Sequence, residues 1–346
     1  MKRLYSILLT FALLCALLMT GPGLAEKAQA LESDGYRYIV RADGTAEITG
    51  YIGEETELEV PGTLDGHPVA AIGDSAFYGL SDLESVTLPE GLQTVGAYAF
   101  SSCYNMWALT LPEGVESIGV GAFVYCSFLH DVTLPKGPTA LADFTFYDCD
   151  SLTRITLPEG IASIGEWAFA DCGLEEIELP EGLQTVGNKA FYHCGYLTDI
   201  TLPRGVVSVG EEAFAYCGEL CTATLQEGLV SLGNRAFSTC EYLEQVSLPA
   251  SLKEIVGNPF SGSSPEISFP DGSPCFSVAE GVLFDDVNHL LITRTPYASG
   301  ESYAVPKGIT GISEYAFLGS EYLVEVTLPE GLQTIGEGAF AECGSL

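Results

Sequence analysis

The sequence predicts a β-solenoid: short coils wound on one another, with a parallel β-sheet on one face and short strands, turns and short helical turns on the others. Two observations carry this. The stretch Leu88 to Thr110, L-P-E-G-L-Q-T-V-G-A-Y-A-F-S-S-C-Y-N-M-W-A-L-T, returns at Leu111, Leu134, Leu157, Leu179, Leu202, Leu225, Leu248 and Leu328, in steps of 23 residues as far as Leu248 except for one step of 22 at Leu179. A fixed period of this size marks a solenoid. Within it one column is always aromatic: Phe77, Phe100, Phe123, Phe146, Phe169, Phe191, Phe214, Phe237, Phe260, Phe317 and Phe340.

Each piece of the repeat has its own justification. Leu83-x-x-Val86-x-Leu88 ends in period-2 alternation, the strand signal. Pro89 lacks an N–H and ends that strand; Gly91 permits the turn. Leu92-x-x-Val95-Gly96 reads as a second short extended piece. Ala99-Phe100-x-x-Cys103 has helical spacing and length for about one turn. One coil cannot bury its own apolar face, so neighbours must cover it and parallel strands should stack about 4.8 Å apart. The short step is a single deletion: Cys172 is followed directly by Gly173-Leu174.

The column pattern L-P-E-G-L-x-x-I/V-G-x-x-A-F-x-x-C closely resembles the BspA-like leucine-rich repeat, also called the Treponema pallidum type, over about residues 35–346. The resemblance implies a leucine-rich repeat solenoid. It also implies a secreted or surface protein of a host-associated bacterium, with several relatives acting as adhesins and no catalytic residues in the repeat itself.

Taken in order, residues 1–30 read as a secretory signal: Lys2 and Arg3, an apolar run from Ile7 to Met19, then Ala28-Gln29-Ala30 or Gly23-Leu24-Ala25 as cleavage site. Leu14 before Cys15 disfavours a lipoprotein site. Residues 31–70 read as an N-terminal cap with three short strands and an Asp43-Gly44 turn. Coils fill 71–260. Residues 261–303 depart from the pattern as a β-hairpin insertion of the kind the resembled family carries, either an enlarged coil that keeps the stack continuous or a binding protrusion. Coils resume over 304–346. Leu346 is the first residue of an unfinished strand, so the chain is expected to be a fragment cut at its C-terminus.

The formal charge is −34, from 47 acidic and 13 basic residues. That opposes binding to nucleic acid and to anionic membrane surfaces, and it favours solubility. Glu90, Glu113, Glu159, Glu181 and Glu330 recur after the Pro of the repeat, as a solvated face would require. A diffuse divalent-cation surface is the alternative, without any D-x-D-x-D-G loop. No other stretch reaches about 18 apolar residues, the length of a membrane span.

Cys103, Cys126, Cys149, Cys172, Cys194, Cys217, Cys240 and Cys343 share one column, where other coils have Leu80, Ser263 or Ser320. Parallel side chains there suit buried free thiols better than disulfides, and a 23-residue spacing is no zinc pattern. Of the four histidines, His193 adjoins Cys194, but the Cys should point inward and the His outward. No nucleophile–base motif and no phosphate loop occur. The expectation is no enzyme, no cofactor and no metal.

Partner binding is therefore the function the residues suggest. The outward strand positions should form one continuous face, with Asp131, Arg154, Glu176 and Asp199 in its variable column and Trp107 and His130 just before it. An outward Trp is a common anchor; packing against the strand edge is the other reading. A second aromatic column follows the cysteines: Phe128, Tyr196, Tyr242 and Tyr322, for partner binding or for packing between coils. Expected partners are extracellular or cell-surface proteins, or glycans, in an adhesin-like role. The alternatives are a targeting region for a longer secreted hydrolase or peptidase whose catalytic domain lies beyond residue 346, and a stalk component.

Overall fold

The computed structural model describes residues 30–295 and 300–346. The expected signal segment lies outside the described residues apart from Ala30. The described chain is a β-solenoid of about 12 turns, and each regular coil has three sides.

The first side is the V/I-x-L strand. Ser85–Thr87, Ala108–Thr110 and Asp131–Thr133 pair in parallel and in register, so Ser85, Ala108 and Asp131 lie side by side. The second side is the two-residue strand before the repeat glycine, as in Thr94–Val95 and Ser117–Ile118, again parallel. That glycine is required by close approach: a Cβ on Gly96 would lie 2.6 Å from the backbone of Gly73 and Asp74.

The third side is the A-F turn, and it corrects an expectation. No helical turn forms there. Phe100 donates its N–H to the carbonyl of Ala122 at 2.8 Å, and Phe146 to that of Ala168 at 2.8 Å, so alternate amides bond to the next coil, while those between close separate tight turns, as from Ser101 to Tyr98 at 3.2 Å and from Cys103 to Phe100 at 3.3 Å. The residues two before and two after the Phe also take left-handed backbone in the regular coils, with φ of 54° at Tyr98, 62° at Tyr125, 58° at Trp167 and 56° at Asp171; at Phe260 the earlier one is Gly257, three before, at 60°. A right-handed helical turn cannot contain such residues. The same conformation recurs from Ser75 to Glu342, so it belongs to the coil and does not mark a site.

Inside, the Phe rings form a ladder. Phe169 is fully buried, with centroids 5.5 Å from Phe146 and 5.4 Å from Phe191, and both pairs are stacked. The cysteines line the core beside it. Each Sγ of the column donates to the carbonyl of a Phe one coil back, 26 residues earlier except at Cys194, where the short step makes it 25, as from Cys126 to Phe100 at 3.2 Å and from Cys217 to Phe191 at 3.2 Å.

At the N-terminus, Leu31–Ser33, Tyr36–Val40 and Ala46–Tyr51 form an antiparallel unit, and the last strand pairs in parallel with His67–Ile72. The same arrangement recurs inside the chain. Phe276–Ala279, Val282–Asp285 and Leu290–Arg294 are antiparallel, and the last pairs in parallel with Gly311–Ile312. Even the turns match: Asp34-Gly35 and Glu280-Gly281 all have positive φ, as a tight hairpin turn demands.

The internal hairpin is buried on both faces. Phe276, Leu283 and Ile292 pack into the long core that begins at Tyr36, whereas Val282, Phe284 and Leu291 pack into a second core around Phe317. Alternation along the strands thus makes one hairpin a wall between two cores. Across this wall the buried Asn258 donates from Nδ2 to the carbonyl of Tyr315 at 3.1 Å, and Asn234 to Glu314 at 2.6 Å. Arg294 stands at the Phe position of the ladder, donating its N–H to Ala316 O at 2.7 Å, with its guanidinium 5.7 Å from the Tyr303 ring centre.

Candidate functional site

The V/I-x-L face carries the six strand-side candidates. Trp107 precedes the strand Ala108–Thr110 and is 45% exposed. Its ring stacks with His130 of the next coil, centroids 6.0 Å apart at 27°. The one-coil offset brings the two rings together, because the N–H of His130 donates to the Trp107 carbonyl at 3.1 Å. His130 is further held by its Nδ1, 3.0 Å from the Phe128 carbonyl. Asp131, exposed, follows directly.

The face is less continuous than expected. Beyond Asp131–Thr133 the sheet gives way to a lone bridge between Thr156 and Glu178, and it resumes at Asp199–Leu202. The interruption flanks the short step at Gly173, where the coil path shortens. Arg154 and Glu176 lie in this gap and form an exposed ion pair at 3.2 Å, a contact worth little in water. Asp199 accepts a hydrogen bond from the Thr222 hydroxyl.

Phe128, Tyr196, Tyr242 and Tyr322 are all exposed. Intervening coils place Ser151 and Glu219 in that column, so the rings do not form a ladder.

A larger aromatic group occupies the A-F turn side. Tyr98, Tyr125, Phe144 and Trp167 pack around Val124, Tyr147 and Ala170, with Tyr192 extending the strip. Tyr147 meets Trp167 edge-on at 5.8 Å, Trp167 meets Tyr192 at 5.2 Å, and Tyr192 meets Tyr216 at 5.2 Å. The left-handed turn residues point outward on both sides of the buried Phe, and that builds the strip. The signal was present in the sequence as aromatics flanking the Phe column in successive coils. It was masked because they alternate between three positions: two before, one after and two after.

Next to this strip a concavity of about 420 Å³ opens at the short step, lined by Asp148, Asp150, Asp171, Cys172, Gly173, His193, Gly195 and Tyr196. Burial, then the neighbouring Asp150 and Asp171, push the Asp148 carboxyl up to about 6. Asp150 is raised as well, by burial and then by Asp171. His193 Nδ1 is 2.6 Å from Asp171 Oδ1. The thiol of the lining is turned away from this pair: burial holds the Cys172 thiol well above its ordinary value, and Sγ donates inward to the Phe146 carbonyl at 3.0 Å. Among the described residues no three His, Cys, Asp or Glu side chains converge as a metal site.

The sequence profile described as BspA type leucine rich repeat region matches in six copies, over residues 63–172, 139–266 and 297–346. The chain belongs to the BspA-type leucine-rich repeat family. A leucine rich cell surface protein from Faecalibacterium prausnitzii is similar in structure, at 26% identity over 93% of this chain and 94% of its own, with a TM-score of 0.65. A leucine-rich repeat protein from Bacteroides ovatus shares the fold at 22% identity, over 91% of this chain and 93% of its own, with a TM-score of 0.51. No curated protein matches. In BspA-type terms, the L-P-x-G columns make the two strand sides and the A-F column makes the turn side. Stacked coils of this kind present extended faces for protein interaction. Among the described residues no helix is long and apolar enough to cross a membrane.

Proposed function

We propose that this BspA-type chain is a secreted or cell-surface interaction module, adhesin-like, that binds extracellular or cell-surface proteins through its strand face. The observation that carries the reading is the exposed Trp107–His130 stack. A Trp that shows nearly half its surface, braced by a ring from the next coil, offers a preorganised apolar anchor. Asp131 beside it and the Arg154–Glu176 pair further along supply polar contacts of both signs. Likeness to a leucine rich cell surface protein supports the location. Binding would be the sum of modest contacts along several coils, with no reaction catalysed.

The test is binding of the purified protein to an array of extracellular-matrix proteins, mucins and glycans, with Trp107→Ala alongside. Binding to a protein ligand that weakens at least tenfold in the variant is the expected result, since anchor truncation commonly costs about 2 kcal/mol. A folded protein that binds none of them overturns the adhesin reading. Binding confined to the glycans moves the partner class.

A further inference from the structure

We propose that the level between Ser268 and Phe276 is a built-in breakpoint: residues 276–346 form a second cooperative unit that opens away from the stack as one body, held shut by a polar clasp centred on Glu314. This goes beyond the strand-face reading above and does not depend on it.

Elsewhere, neighbouring coils are joined by backbone hydrogen bonds on at least one side. Where the strand sheets pause between Ser117–Ile118 and Ala140–Leu141, the turn side carries on, with Gly121 donating to Asp143 at 2.9 Å and Phe123 to Thr145 at 3.0 Å. At the breakpoint all three sides stop together. The V/I-x-L sheet ends at Glu266–Ser268 and the second-side sheet at Glu254–Ile255; new sheets start at Ser302–Ala304 and Phe276–Ala279. On the turn side Phe260 gives its N–H to Asn258 Oδ1 of its own coil at 3.1 Å. Among the described residues no backbone hydrogen bond runs from residues 30–272 to residues 275–346.

The second unit also begins as the chain's first coils do. Each antiparallel hairpin is followed by one V/I-x-L strand that starts a new sheet: Glu57–Glu59 against Ser85–Thr87, and Ser302–Ala304 against Glu325–Thr327. Both of these strands run into Val-Pro, at Val60-Pro61 and Val305-Pro306, where most coils have Leu-Pro. Residues 276–294 thus have the form of a starting cap, laid with its outer face on a finished stack.

Side chains make the contacts across this level. Phe276, Leu283 and Ile292 pack on the first core, and Phe269 stacks with Phe276 at 6.3 Å. On the turn side Asn234 Nδ2 donates to Glu314 Oε1 at 2.6 Å, and Arg235 Nε lies 3.6 Å from the same oxygen. The Arg235 guanidinium is also 4.9 Å from the Tyr315 ring centre. Packing is incomplete here: a cavity of about 220 Å³ lies between Tyr216, Arg235 and Ser238 of the stack and Tyr315 and Leu318 of the second unit. The covalent link leaves from Phe269-Pro270, the corner between the two strand sides and across the coil from the clasp. A link at one corner and polar contacts on the opposite side make a hinge, and opening follows the weakest set of contacts. The clasp therefore sets the angle between the two segments of the strand face.

The experiment follows amide hydrogen exchange of the full chain by mass spectrometry in rising, sub-denaturing guanidinium chloride. Peptides covering 276–294 and 311–335 should lose protection together on one isotherm, while those covering 231–255 stay protected to higher denaturant. Glu314→Ala should speed exchange in both C-terminal regions about five- to thirtyfold, as loss of a charged hydrogen bond does. Asn234→Ala, in the other unit, should do the same. The double variant should exceed Asn234→Ala by little, because both changes remove one shared contact. Glu325→Ala, exposed on the second unit's strand face, should change nothing. Protection lost step by step from 335 back through 290 into 254 would mean fraying and overturn the proposal. One shared isotherm for 94–118, 231–255 and 311–335 would overturn it too, since the solenoid would then be a single unit. None of these variants alters Trp107 or His130, so either result leaves the strand-face reading where it stands.

Discussion

The sulfur of Cys126 lies 3.2 Å from the carbonyl oxygen of Phe100, one coil back, and both residues are fully buried. The same contact repeats through the stack. In the one coil where serine stands in the column and a Phe lies 26 residues earlier, Ser263 Oγ makes it to Phe237 at 2.7 Å. Where a Phe carbonyl lies one coil back, the column therefore holds a small side chain with a proton to donate.

A first prediction concerns reactivity. Of the ten cysteines among the described residues, Cys103, Cys126, Cys149, Cys172, Cys194, Cys217 and Cys240 are buried, whereas Cys221, Cys275 and Cys343 are partly exposed. Burial pushes the Cys103 and Cys240 thiols up to about 12, and the thiolate is the reactive form. Iodoacetamide on the native protein should label the three partly exposed residues and reach the other seven only after unfolding. Peptide mapping checks this. Cys126→Ser should cost less than about 1 kcal/mol and Cys126→Ala more, because only the serine keeps the bond.

The ladder makes a positional prediction. Phe169→Ala in mid-stack should cost about 3–5 kcal/mol, since it opens a cavity between two stacked rings. Phe340→Ala should cost clearly less, because among the described residues that ring stacks only on Phe317 and it is only partly buried. Equal losses in denaturant unfolding would contradict the ladder as the main packing element.

The short step depends on a glycine. A Cβ on Gly173 would lie 2.0 Å from the carbonyl oxygen of Asp150, whereas one on Gly195, in the same column of the next coil, would meet nothing within 4 Å. Gly173→Ala should therefore destabilise by about 1–3 kcal/mol, the usual range for overpacking. Gly195→Ala should be neutral or stabilising by up to about 1 kcal/mol. Paired thermal melts separate the two.

The join between the two cores gives another. Asn258 is wholly buried; its Nδ2 donates to Tyr315 and its Oδ1 accepts the N–H of Phe260 at 3.1 Å. Asn258→Ala should cost about 1–3 kcal/mol by leaving buried backbone groups unpaired. It should also speed amide hydrogen exchange at Tyr315 and Phe317 more than at Phe100, far along the stack. Uniform exchange along the solenoid would rule out a weakened join.

The period, the Phe and Cys columns and the two strands per coil were legible in the sequence because each is fixed by side-chain burial, and burial writes itself as spacing. The A-F turn was misjudged because Ala99, Phe100 and Cys103 have helical spacing; what decides the backbone there is the hydrogen bond from Phe100 to the next coil, which one coil's sequence does not contain. The Trp107–His130 contact could be foreseen from register. The strip through Tyr147, Trp167 and Tyr192 could not, since it depends on which flank of each Phe points outward. Nor did Val282 and Leu283 announce that consecutive residues would serve two different cores.

The acidic concavity supplies the last prediction. Asp148 holds its proton more tightly in the native protein than in the unfolded chain: about 6 against an ordinary 3.8, from burial first and then Asp150 and Asp171. A carboxyl raised by folding favours the native state while it is protonated. Its contribution is greatest below about pH 4, declines as pH rises through 4 to 6, and is a constant penalty above that. Asp148→Asn keeps the shape, and Asn tolerates the left-handed backbone that Asp148 adopts. The variant should melt above the parent at pH 7, and the gap should close as pH falls from about 6 to about 4. Asp148 is only half-buried, so screening keeps the gain modest. A difference that is absent at pH 7, or that does not vary with pH, would contradict an Asp148 carboxyl raised by folding.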